Sequence, residues 1–237
     1  MDSPAAEVPA ANPGNCAGKF CDDFEGATVG GPPGGIWTPR TENGAKLAVD
    51  ETRAFSGGKS VRFTHQGSAD SAMFIELRKP LLPMAGPAVY GRLMYWLNKN
   101  PTGTFSHFEL VRGGGPLPGG GNAQLNTGAE NGKAFINYEP GDCSAPAAAV
   151  PFPDGKWACY QFVFDGSKNL IAEWVEGKMA MGPTAPKGTC WKWPMSVDTL
   201  FIGFEAYHDP GLVDLWIDDV VVGDQPIPCP TTMPSKP

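Results

Sequence analysis

Residues Leu200 to Tyr207 read LFIGFEAY and alternate strictly. Leu200, Ile202, Phe204 and Ala206 form one apolar face, while Phe201, Gly203, Glu205 and Tyr207 form a mixed one. A period of two is the mark of a half-buried strand. In a curved sandwich the apolar face goes to the core and the face with a carboxylate and a phenol lines a concave groove. Gly203 leaves room for a ligand to approach the backbone.

Strand signals separated by turns recur on either side of this stretch. They fall at Leu47–Asp50, Ser60–His65, Ala72–Leu77, Val89–Leu97, Phe105–Arg112, Ala134–Tyr138, Trp157–Asp165, Leu170–Glu176 and Leu215–Val222. VYGRLMYWL, from Val89 to Leu97, is apolar on both faces and is expected to be central. Gly (31) and Pro (25) make nearly a quarter of the chain, and no segment keeps helical spacing for three turns. About ten short strands with no fixed repeat predict an all-β, two-sheet β-jelly-roll sandwich.

The chain has 237 residues, enough for one such domain. Residues 1–19 are expected to be a flexible, Ala/Pro-rich linker left after an export signal, 20–230 the domain, and 231–237 a tail. Six cysteines without a zinc-type spacing favour disulfides and a secreted or cell-surface tethered protein. No run reaches the length of a membrane span. A net charge of -7 and a pI of about 4.9, with basic residues scattered singly, make nucleic acid an unsuitable partner.

In FSHFELVR, from Phe105 to Arg112, Phe108 and Leu110 are expected to point one way and His107, Glu109 and Val111 the other. His107, Glu109, Glu205 and Tyr207 then offer titratable groups to one groove, if the two polar faces meet; the alternative is a solvated outer face. His65 and His208 are read as surface residues. GGGPLPGGG, after Arg112, reads as a mobile flap or rim. DDFE (22–25), FSGGKS (55–60) and WIDDV (216–220) supply turn carbonyls and carboxylates. One Asp of the last pair must point inward, either toward a cation or to accept backbone N–H bonds.

Taken in order, DDFEG, VDETRAFSGGKSVRF, VYGRLMYWL, SHFELV, KWACYQFVFDGSKNLIAEWVEGK and IGFEAYHDPGLVDLWIDDVVVG resemble a family of fungal cellulose-induced secreted proteins that is similar to glucuronan lyases. The resemblance covers Asp22 to Cys229. It implies a concanavalin A-like jelly roll, a structural Ca2+ and a groove for a polysaccharide. Carried over residue by residue, it places the metal on the Asp218 carboxylate and on Glu25, Ser56 and Lys59, chiefly through backbone oxygens, with the Lys59 ammonium pointing away. It makes His107 and Tyr207 the catalytic pair and implies a Cys159–Cys229 disulfide, leaving Cys16 with Cys21 and Cys143 with Cys190. Where the family carries a His and an Arg after the flap, this chain has Asn122, Gln124 and Asn126, so the group that neutralises a substrate carboxylate is unassigned.

Three functions follow as expectations. The first is a polysaccharide lyase cleaving a uronic-acid-containing glycan by β-elimination, with Tyr207 and His107 catalytic and Glu109, Glu205, Gln124, Asn126 and Asn137 binding substrate. The second is a non-catalytic carbohydrate-binding jelly roll, with aromatics stacking on sugar rings. The third is a glycoside hydrolase using Glu109 and Glu205 as paired carboxylates, which a separation well beyond ~10 Å would end. In each the partner is a polysaccharide and the protein a monomer.

Overall fold

The computed structural model describes residues 18–66, 71–101, 106–139, 143–144, 149–182, 193–208 and 211–231. Two antiparallel sheets pack face to face. The first is built on β6 (Ala88–Leu97), paired with β11 (Trp157–Asp165) on one edge and β15 (Leu212–Gly223) on the other. Beyond β11 come β12 (Leu170–Val175) and β13 (Lys178–Met181). The far edge of β15 is shared by β4 (Ser60–Gln66), which carries β3 (Lys46–Asp50), and by the short β1 (Phe20–Asp22).

The second sheet centres on β7 (His107–Pro116) and β14 (Thr199–Ala206). On the β7 side lie β8 (Asn122–Glu130), β9 (Lys133–Glu139) and β10 (Cys143–Ser144). On the β14 side lie β5 (Ser71–Leu77) and β2 (Thr38–Thr41). The expected jelly-roll sandwich is the observed architecture, and VYGRLMYWL is indeed an interior strand. Among the described residues no helix is long and apolar enough to cross a membrane.

The core fills the space between the sheets. Leu93, Tyr95, Phe162, Phe164, Leu215 and Ile217 enter it from the first sheet, and Ile75, Phe108, Leu200, Ile202 and Phe204 from the second. Phe108 stacks on Phe204 at 4.9 Å and Tyr95 on Phe152 at 4.7 Å. Each such buried aromatic stabilises the fold by roughly 1.5–3 kcal/mol. The apolar face of LFIGFEAY is buried as its alternation requires.

Three expectations need correction. His65 is not at the surface: it is fully buried on β4, its Nδ1 3.1 Å from the Gly211 carbonyl and its ring edge-on to Phe204. The first part of GGGPLPGGG is not a flap, because Gly113 to Gly115 continue β7. Their lack of a Cβ permits close packing: a Cβ on Gly113 would meet the Phe164 ring at 2.7 Å, and one on Gly115 the Ser196 carbonyl at 1.8 Å. Val111 lies in the core and not with Glu109.

Cys159 and Cys229 are joined, as the resemblance implies, across a sequence separation of 70. Cys21 is also disulfide-bonded. The pairings expected for Cys16 with Cys21 and Cys143 with Cys190 involve Cys16 and Cys190, which lie outside the described residues.

Candidate functional site

The outer face of the second sheet carries the polar residues, and a slip in strand pairing decides which they are. Along β7 the pairing to β8 matches Glu109 with Gly128 and Val111 with Thr127. Two steps on β7 therefore correspond to one on β8, a β-bulge at Leu110. The bulge reverses the alternation beyond it. Leu110 and Val111 both turn to the core, and Arg112 arrives on the same face as Glu109.

Cross-strand partners share a face, so register gives the floor of the groove. One row runs His107, Glu130 and Lys133, and the next runs Glu205, Glu109, Gly128 and Phe135. The row beyond the bulge runs Glu76, Phe201, Arg112, Asn126 and Asn137, followed by Gln124 opposite Glu139. All five expected binding residues, Glu109, Glu205, Gln124, Asn126 and Asn137, therefore share the face that carries His107.

At the centre the side chains touch. Tyr207 Oη donates to Glu109 Oε1 at 2.6 Å. Arg112 Nε donates to Glu109 Oε2 at 2.9 Å, and its Nη2 reaches Glu205 Oε2 and, at 3.3 Å, Tyr207 Oη. The His107 ring stacks on the Tyr207 ring at 4.9 Å with 20° between planes. Below, the guanidinium lies 5.2 Å from the Phe74 ring, a cation–π contact. His107, Glu109, Glu205 and Tyr207 thus converge, and His208, an exposed residue, stands edge-on to His107 at 5.9 Å.

Arg112 is the residue that sequence reading missed. The groove does contain a cation, supplied by the strand before the glycine run and not by the strand after it. Strict alternation assigns Arg112 to the core side, and only the bulge at Leu110 brings it out.

Burial sets the protonation states. It raises the Glu109 carboxyl above its ordinary value, against the pull of Arg112. Burial also raises the Tyr207 phenol, and the Glu109 charge adds to it, so Tyr207 rests as a neutral donor. Arg112 is desolvated too, but Glu109 outweighs this and raises its pKa. Asn126 is buried, with neither amide atom paired.

The expected metal ligands lie on the first sheet, around Asp218 of β15, the turn before β4 and the turn after β1. Asp218 points inward, and its Oδ2 accepts the N–H groups of Phe55 (2.7 Å) and Ser56 (3.1 Å) while Oδ1 accepts that of Asp219 (2.7 Å). Burial, with Asp219 next to it, pushes its pKa up to about 8. Ser56 Oγ donates to Asp219 Oδ1 at 2.6 Å, and Asp219 Oδ2 is unpaired. The Glu25 carboxylate accepts Gly58 N and Lys59 N at 2.8 and 2.7 Å.

The Lys59 ammonium does not point away. It donates to the carbonyls of Glu25 and Ala27, both at 2.9 Å. Ca2+ takes six to eight oxygens, and here those of Asp218 and Glu25 already accept protein donors beside a like charge. In this arrangement the four residues do not fit a divalent ion. Among the described residues no group of three or more His, Cys, Asp or Glu side chains is placed to hold a metal.

A family model described as polysaccharide lyase-like, Cip1-like core domain matches residues 23–225. No curated protein matches the chain in sequence. Among solved structures, it is similar to "Cellulose induced protein, Cip1" at 19% identity, with 89% of this chain and 100% of that one covered and a TM-score of 0.67. It is also similar to an endo-β-1,4-glucuronan lyase from the fungus Trichoderma reesei at 17% identity, with 87% and 95% covered and a TM-score of 0.60. At such identities the two structures speak for the fold alone. The family match spans both sheets and every residue of the Arg112 cluster, and the chain belongs to the Cip1-like, polysaccharide lyase-like family.

Proposed function

We propose that the protein is a secreted polysaccharide lyase that cleaves a uronic-acid-containing glycan by β-elimination in the groove around Arg112. The observation that carries this reading is the placement of Arg112 beside Tyr207, on whose ring His107 stacks. β-Elimination needs a group to neutralise the uronate carboxylate, a base for the proton next to it, and an acid for the leaving oxygen. Arg112 supplies the first, with Asn126 in the same row and Gln124 in the next as amide donors.

His107 is the base and Tyr207 the acid. His107 takes the proton from the carbon bearing the carboxylate, that electron pair becomes the new C=C bond, and the bond to the leaving oxygen breaks. The Tyr207 phenol gives its proton to that oxygen, a role suited to a hydroxyl held neutral by burial and by Glu109. The proton held by His107 then returns to Tyr207. Glu109 and Glu205 position Arg112 from two sides.

The test is incubation with polyglucuronate, alginate and other polyuronates, following the ultraviolet absorbance of the unsaturated product. Activity is expected on at least one, and Tyr207→Phe is expected to abolish it. Silence on every polyuronate would overturn the reading.

One observation favours a second reading, a non-catalytic carbohydrate-binding protein. Arg112 is already engaged by two carboxylates, so the cluster has no spare positive charge for a uronate. Binding of neutral glycans in affinity electrophoresis, without product, would decide for it. The hydrolase alternative is not ended by distance, because Glu109 and Glu205 are cross-strand partners on one guanidinium. That shared counter-ion nevertheless leaves neither of them free as an acid.

A further inference from the structure

Three segments far apart in sequence meet where β15 passes from β4 to β1. They are the turn after β1, residues 22–27; the turn before β4, residues 55–59; and the pair Asp218 and Asp219. The first two are laced in both directions. The Glu25 carboxylate accepts the Gly58 and Lys59 N–H groups, and the Lys59 ammonium donates back to the Glu25 and Ala27 carbonyls.

The turn backbones fit this lacing. Phe24 adopts φ 58° and Gly57 φ 58°, both left-handed. A Cβ on Gly57 would lie 2.5 Å from the Glu25 carboxyl, so glycine lets that side chain lie flat on the turn. The third segment is tied in by Asp218 and by Ser56 Oγ on Asp219.

A structural divalent cation at such a junction does two things. It gathers turn carbonyls and it offsets clustered carboxylates. An ammonium with three donors can do the first, at N–H···O distance and with a single charge. We infer that the Lys59 ammonium, seated on the Glu25 and Ala27 carbonyls between the two turns, replaces a structural divalent cation, so that this junction is held without metal.

The experiment uses the full chain of 237 residues. Thermal unfolding is followed in excess EDTA and in millimolar calcium, and calcium content is measured after purification without added metal. The same midpoint in both buffers and substoichiometric calcium are expected. Ligand at a hundredfold excess over Kd shifts a midpoint by several degrees. A wild-type midpoint that falls in EDTA and recovers in calcium, or one bound calcium per chain, overturns the inference.

Lys59→Met keeps the stem and removes the charge, so its midpoint is expected to fall in both buffers; an unchanged midpoint also overturns the inference. Lys59→Asp, which frees both carbonyls and adds a carboxylate, is expected to gain a calcium-dependent midpoint. If that variant does not fold, the wild-type and Lys59→Met measurements still decide.

Discussion

Glu109 Oε2 and Arg112 Nε lie 2.9 Å apart on one strand, at positions i and i+3. Regular alternation would put them on opposite faces of the sheet. Glu109 is only 2% exposed, and Arg112 is half-buried beside it. Arg112→Ala strands the carboxylate without its counter-ion and is expected to cost about 3–5 kcal/mol. The Glu109→Gln/Arg112→Met double variant should recover most of that loss. A double-mutant cycle in urea checks the coupling.

The bulge that creates this pair is backed by Gly128, where a Cβ would meet the Phe108 carbonyl at 2.1 Å. That contact is backbone and cannot rotate away. Gly128→Ala is expected to cost about 1–3 kcal/mol and to lower activity or ligand affinity by displacing Arg112. Gly86→Ala, which meets nothing within 4 Å, is the control and should change neither.

Asn126 is a register partner of Arg112 and has both amide atoms buried without a partner. A polar group left unsatisfied costs stability in the free protein. Asn126→Ala is therefore expected to leave the thermal midpoint unchanged or raised while weakening glycan affinity about tenfold, the worth of one hydrogen bond. Calorimetry on the two proteins with the same oligosaccharide measures both effects.

Glu173 lies fully buried in the core, taking the Tyr160 hydroxyl on Oε2. Burial holds its carboxyl well above the ordinary value of 4.5. A raised folded pKa means that the folded state keeps the proton longer than the unfolded chain does. Its contribution is complete at acid pH, shrinks as pH climbs above that ordinary value, and is lost through the folded pKa. Glu173→Gln should flatten this slope, so the variant gains on wild type as pH rises in urea titrations. Glu173→Ala removes the Tyr160 partner and opens a cavity, and should cost about 3 kcal/mol at acid pH, a deficit that narrows as pH rises because the titrating carboxyl is gone.

The Cys159–Cys229 bridge closes 70 residues of chain. Loop-closure entropy for that length amounts to about 4 kcal/mol. The Cys159→Ser/Cys229→Ser double variant is expected to lose stability of that order, read from denaturant midpoints at constant m-value.

The fold was legible wherever one side of a strand was apolar throughout. LFIGFEAY and VYGRLMYWL announced their faces because β14 keeps Ile202, Phe204 and Ala206 inward without interruption. β8, reading NAQLNTGAE, gave no such signal. Its Asn and Gly residues disfavour a strand, and pairing on both edges holds it in place.

The site was half legible for the same reason. His107, Glu109, Glu205 and Tyr207 sit on stretches where the period of two holds. Arg112 and Val111 do not, because the β-bulge at Leu110 adds a residue and inverts the pattern. A bulge is a property of two strands together. The signal available in sequence was Gly128, but it lies on the strand that alternation failed to identify.

Strand β1 pairs Phe20 with Val222, about two hundred residues later in the chain. During synthesis β1 is therefore made well before its neighbour on β15. Contacts of such long range slow folding, and the turn holding Glu25 has no partner in β15 until that strand is made. Without β15 the strands β6, β4 and β1 lack the one that joins them, and a chain truncated before it exposes their edges to other chains.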